Sequence, residues 1–83
     1  MPAKLSRSGT SPATDYPLST VAEAVRAARR RHGLTQTELA GLSGTGLRFV
    51  SELERGKPNV SLSKVVAVLA ALGLRLEVRG EAP

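Results

Sequence analysis

The chain has no cysteine and no tryptophan in its 83 residues. Without cysteine there is neither a disulfide framework nor a thiolate metal site. The aromatics are Tyr16 and Phe49 alone. That argues against domains that stack bases on aromatic platforms, such as RNA-recognition and OB-type folds. No apolar run approaches the ~20 residues that a bilayer-spanning helix needs. The N-terminus has basic residues but no long apolar core behind them, so a cytoplasmic protein is expected. The single histidine, His32, lacks a clustered carboxylate partner. No Gly-rich phosphate loop follows a strand. Catalytic, cofactor and metal sites are therefore not expected.

What is present is short, aliphatic and basic. A chain of this length makes one domain, small enough that dimerisation is an expected aid to stability. Its apolar residues are mostly Leu, Val and Ala, which suits a compact helical core. The formal net charge is +5. A basic balance favours polyanions, because Lys and Arg release counterions from phosphates. Alone this is a weak signal, and it gains weight only beside a nucleic-acid motif.

Residues 1–18 are rich in Ser, Thr, Pro and Ala without a period, and read as a flexible arm. Residues 19–73 carry the helical patterns. The first helix is expected from Thr20 to Arg31, capped by Ser19 or by a Thr20/Glu23 capping box. Val21, Val25 and Ala28 mark its core stripe. Arg29, Arg30, Arg31 and His32 fall in its last turn, where positive charge complements the helix dipole. The last helix is expected after Ser61, with Leu62, Val65, Val66, Leu69 and Leu72 on its apolar face and Gly73 ending it.

Residues 35 to 56 are the most informative stretch. Thr35 and Glu38 form a capping box, and Leu34 with Leu39 a hydrophobic staple. Gly44 can take positive φ at the end of this short helix. Gly46 is a possible N-cap for the next one. There Val50 and Leu53 face the core, and Gly56 and Pro58 stop the helix. Two helices joined by a tight glycine-containing turn make a helix-turn-helix, whose second helix enters the DNA major groove.

The run Gly33-Leu34-Thr35-Gln36-Thr37-Glu38-Leu39-Ala40, followed by Phe49-Val50-Ser51-Glu52-Leu53-Glu54-Arg55-Gly56, resembles the Cro/C1-type (XRE) helix-turn-helix family. Continued through Lys57-Pro58-Asn59-Val60-Ser61 to Ala71-Leu72-Gly73-Leu74, it is similar to the HipB-type antitoxin branch. The resemblance covers roughly residues 19 to 79. The chain departs from it at Thr45 and Gly46, where members more often carry an aliphatic residue and then Ser. The fold implied is mainly α, a lambda-repressor-like bundle of four to five helices.

The N-terminal turns of a recognition helix present side chains to base edges. Here those residues are Leu47, Arg48, Ser51 and Glu52. Arg48 can make a bidentate contact to guanine O6 and N7, and Leu47 can touch a thymine methyl. Ser51 can bond a base edge or a phosphate. Glu52 can accept from cytosine N4, sit solvated, or pair with a nearby Arg. Gln36 and Thr37 open the preceding helix, whose N-terminus suits a phosphate. The resemblance implies a backbone contact for Gln36, and phosphate contacts for Lys57 and Asn59, which otherwise read as a solvated loop. It also implies an internal ion pair between Arg29 and Glu54, which would make Arg29 structural. Phe49 can pack on the last helix or lie exposed.

Residues 74–79 change period. Leu74, Leu76 and Val78 alternate with Arg75, Glu77 and Arg79, as in a half-buried strand. A lone strand leaves its backbone unpaired, so the same strand of a second copy is its expected partner. Pairing with the N-terminal arm and a frayed tail are the alternatives. Residues 80–83 read as a tail. The functional expectation is a homodimeric repressor of double-stranded DNA with an inverted-repeat operator and no membrane association. The resemblance further implies the antitoxin role in a HipBA-like operon, with a HipA-like kinase toxin as partner. A regulator of this family without a toxin, and a protein-interaction adaptor that has lost base readout, are the alternatives.

Overall fold

In the computed structural model the described residues are 12–80. They form helices α1 (Pro12–Arg31), α2 (Gln36–Ser43), α3 (Leu47–Glu54) and α4 (Leu62–Ala71). The core takes Val25 and Ala28 from α1, Leu39 and Ala40 from α2, and Val50 and Leu53 from α3. Val65, Val68 and Leu69 from α4, with Leu72 at its end, complete it. Phe49 packs against this cluster from its edge. Fully burying one such aliphatic side chain is worth about 1.5–3 kcal/mol. α2 lies at the centre, packed on both α3 and α4, and α1 packs on α3.

Each helix ends on a left-handed glycine, Gly33, Gly44, Gly56 or Gly73. The N–H groups at and just past that glycine turn back onto the last carbonyls, as in Leu34 to Arg29 and Thr45 to Ala40. Orphan carbonyls are thereby satisfied and the chain is turned sharply into the next element. At the start of α2 the capping box forms as expected. Thr35 Oγ1 accepts from the Glu38 N–H at 3.0 Å, and Glu38 Oε1 accepts from the Thr35 N–H at 2.8 Å.

Three expectations are corrected. α1 begins at Pro12 rather than Thr20, so Ser19 and Thr20 lie within the helix and not at its start. Proline is well accommodated at a helix start because its missing N–H would be an orphan there. The expected arm is thus helical over residues 12–18, and its earlier residues lie outside the described ones, as does the tail beyond residue 80. On α4, Leu62 and Val66 are exposed, and Val68 is buried in their place. The set 65, 68, 69 and 72 follows the i, i+3, i+4, i+7 rule, leaving Leu62 and Val66 at the rim of the stripe.

The third correction concerns residues 74–79. Among the described residues there is no strand, and residues 74–80 have no regular secondary structure. A strand exists through ladder bonds to a neighbour, and the described residues supply none. Leu74 instead closes α4, donating to the Leu69 carbonyl at 2.8 Å, and packs on the core. Leu76 lines an apolar groove of about 260 Å³ with Leu18, Val21, Leu53, Val60 and Val65. Val78 is 95% exposed.

Candidate nucleic-acid interface

The turn between α2 and α3 is built from small residues. Gly44 holds φ +70°, a conformation that costs an L-residue roughly 1–2 kcal/mol. Ser43 Oγ donates to the Leu39 carbonyl at 2.8 Å and lies 2.9 Å from Thr45 Oγ1. Gly46 occupies the N-cap of α3 with extended backbone and no side-chain cap. The first N–H groups of α3 are therefore left to other acceptors. At α2 the capping box takes the Glu38 N–H, while those of Gln36 and Thr37 have no partner among the described residues.

α3 is held at its far end by a buried polar network. The Glu54 side chain is 4% exposed and that of Arg29 13%. The pair is bidentate, with Nε to Oε2 at 2.6 Å and Nη2 to Oε1 at 3.0 Å. Gln36 Nε2 also donates to Glu54 Oε1, at 3.1 Å. Arg29 Nη1 bonds the Leu34 carbonyl at 2.9 Å, and Arg26 bonds the Glu54 carbonyl at 2.5 Å. Burial by itself would raise the Glu54 pKa. The hydrogen bonds from Arg29 and Gln36, with the charges of Arg29 and Arg26, outweigh it and hold the carboxyl below its usual range. The hydrogen bond that Arg29 donates to Glu54 raises the Arg29 pKa in turn. One carboxylate thus ties α1, α2 and α3 together.

At the exposed face, the Arg48 side chain is 90% accessible and Leu47 is exposed beside it. Arg48 Nε lies 3.3 Å from Glu52 Oε2, and Lys57 Nζ lies 3.2 Å from the same oxygen. The Lys57 hydrogen bond, aided by Arg48, lowers the Glu52 pKa. Ser51 Oγ accepts from Arg55 Nη1 at 3.2 Å.

The structure therefore sorts the expected site residues into groups. Arg48, Glu52 and Lys57 form one cluster, with Leu47 and Ser51 on the same helix. Thr37 is exposed at the start of α2. Gln36, expected on the DNA backbone, donates one of its two amide N–H groups to Glu54 beside Arg29. Asn59 lies apart. It takes φ +62° and lines the apolar groove under Leu76, a backbone conformation that Asn tolerates better than most residues.

Sequence reasoning missed Arg26 and Arg55, which brace the Glu54 carbonyl and Ser51. It also missed Lys64, whose Nζ sits 5.8 Å from the centre of the Phe49 ring. Arg55 is one turn from Ser51 and was legible as an i, i+4 pair. Arg26 is 28 positions from its partner, and no local pattern announces such a contact.

A helix-turn-helix family model matches residues 25–78, which include α2, the turn and α3. The chain belongs to the helix-turn-helix family, in its Cro/C1 (XRE) type. This helix-turn-helix protein is similar to an uncharacterized HTH-type transcriptional regulator of Sinorhizobium fredii. The two are 46% identical over 54 residues, covering 65% of this chain and 71% of that one. It is also similar to an immunity repressor protein of Bacillus phage phi105, at 35% identity over 57 residues. That match covers 69% of this chain and 40% of the phage protein. No helix among the described residues is long and apolar enough to cross a membrane.

Proposed function

We propose that this helix-turn-helix protein is a sequence-specific DNA-binding repressor that acts as a homodimer on an inverted-repeat operator. One observation carries the reading: Arg48 and Leu47 stand exposed on the first turn of α3, while Glu54 locks the other end of that helix to α1 and α2. A reading helix must be exposed where it meets bases and rigid where it meets its own protein. Arg48 would contact guanine and Leu47 a thymine methyl, with Ser51 and Glu52 on the same groove face. Thr37, Lys57 and the N-terminus of α2 beside Gln36 would meet phosphates. Asn59 would shape the loop that carries Lys57.

The homodimer is supported by exposed apolar side chains, Leu76 and Val78, on a segment with no ladder partner among the described residues. Two copies paired there would set reading helices to half-sites about one helical turn, ~34 Å, apart. The HipB-like antitoxin role, with a HipA-like kinase as partner, is a narrower form of this proposal. It is supported by motif order alone, and co-purification with the product of the adjacent gene tests it.

The direct test is a fluorescence-anisotropy titration against the chain's own upstream DNA and a scrambled duplex at two salt concentrations. A preference of ~10³-fold or more is expected of a specific repressor. Equal binding to both duplexes, or none, would overturn the reading in favour of a protein-interaction adaptor.

A further inference from the structure

Glu52 is an unusual group to find among the cations of a DNA-facing surface. Its side chain is 19% exposed, and its Oε2 alone holds both Arg48 and Lys57. Lys57 is tethered to the same residue a second time, donating its backbone N–H to the Glu52 carbonyl at 3.1 Å. The three side chains carry a net charge of +1 where the two cations alone would carry +2. Ion pairs this exposed add little to folding. Their consequence lies in what else the cations can bind.

We propose that Glu52 is a specificity-determining counter-charge, which retains Arg48 and Lys57 on DNA of arbitrary sequence and releases them only to the operator. This inference rests on the DNA-binding reading above and names the residue that sets its selectivity. Non-specific affinity comes from cations free to neutralise phosphates. Here a phosphate must displace a carboxylate from each cation and then lie near that carboxylate. A base edge can repay the exchange where it offers an acceptor for Arg48 and a donor for Glu52. Guanine O6/N7 and cytosine N4 are that combination. The exchange is therefore favourable at a G·C pair and unfavourable on the bare backbone. Glu52, like any ordinary carboxylate, is ionised at neutral pH, and Lys57 and Arg48 favour its charged form further.

The test compares wild type, Glu52→Gln and Glu52→Gln/Lys57→Gln by anisotropy on a random-sequence duplex across a salt series, with circular dichroism as the folding control. Glu52→Gln is expected to bind that duplex ~10-fold tighter near 0.1 M salt, and to steepen the salt slope by about 0.9 for each cation released. The double variant should lose one such increment. Equal affinity and slope for wild type and Glu52→Gln would overturn the proposal. A DNA-free arm follows the Glu52 carboxyl by carbon NMR through an acid titration. Its midpoint should rise in Lys57→Gln, and an unmoved midpoint overturns the proposal whatever DNA does. A midpoint that moves while no variant binds any duplex shows the pairing to be real. The DNA-binding reading is then what fails, and the selectivity role falls with it.

Discussion

Replacing Glu54 with Ala would leave the Arg29 guanidinium with 13% exposure and no carboxylate. It would also deprive Gln36 of an acceptor that now lies 3.1 Å away. Breaking a buried pair from one side costs about 3–5 kcal/mol, and the lower figure applies because Arg29 keeps an edge in water. Domains have about 0.05–0.15 kcal/mol of stability per residue, or about 4–12 kcal/mol for this length. A loss of about 3 kcal/mol is a large share of that. At about 4–8 °C per kcal/mol it lowers Tm by about 12–24 °C. Urea and thermal melts followed by circular dichroism give both values. Replacing Arg29 and Glu54 together with Met should recover most of the loss, since both desolvation costs vanish with the charges. The pH dependence has a definite sign. The folded Glu54 carboxyl titrates below its unfolded value, so its stabilisation is complete above the unfolded value of about 4.3. It is lost as pH falls from there through the folded value. The difference in stability between wild type and Glu54→Ala should shrink in that window. A cost below about 1 kcal/mol at neutral pH would refute the network as the brace of α3, since that is the range of an exposed pair.

Other substitutions separate reading, assembly and backbone strain. Arg48→Ala should relax discrimination at one base position by ~1–3 kcal/mol, measured by titrating an operator set with single base changes. Leu76→Asp should dissociate the homodimer in sedimentation experiments and reduce operator affinity with it. A stable Leu76→Asp dimer would remove residues 74–79 from the interface. Gly44→Ala should destabilise by about 1–2 kcal/mol in urea melts. No atom crowds its Cβ position, so backbone strain accounts for the loss.

Much of the fold is legible residue by residue, because the relevant chemistry is local. Gly33, Gly44, Gly56 and Gly73 mark the helix ends in the sequence, and all four adopt the left-handed conformation. Thr35 and Glu38 sit three apart and bond each other as that spacing allows. Thr20 and Glu23 have the same spacing and residue types, yet they do not start the helix, because α1 already runs through Thr20 from Pro12. A capping box needs a chain that is not helical before it. The spacing cannot report that condition, whereas Gly33 just ahead of Thr35 does.

The order of elements, the turn between α2 and α3, and the exposure of Arg48 and Leu47 follow from the string of residues, since periodicity and glycine punctuation act over a few positions. The use of the polar groups does not. Gln36 reads as a phosphate contact, and nothing local in the sequence announces that α3 also brings Glu54 to its amide across 18 positions. Glu52 stands among three readings until the left-handed turn at Gly56 folds Lys57 back onto the carboxylate that Arg48 also meets. The alternation over residues 74–79 offers a strand, but a strand requires a neighbour's backbone, and the alternation does not say which segment provides it. Local chemistry determines where helices start, stop and turn. Only packing decides which charged groups end up within hydrogen-bond reach, because those distances are set by elements far apart in sequence.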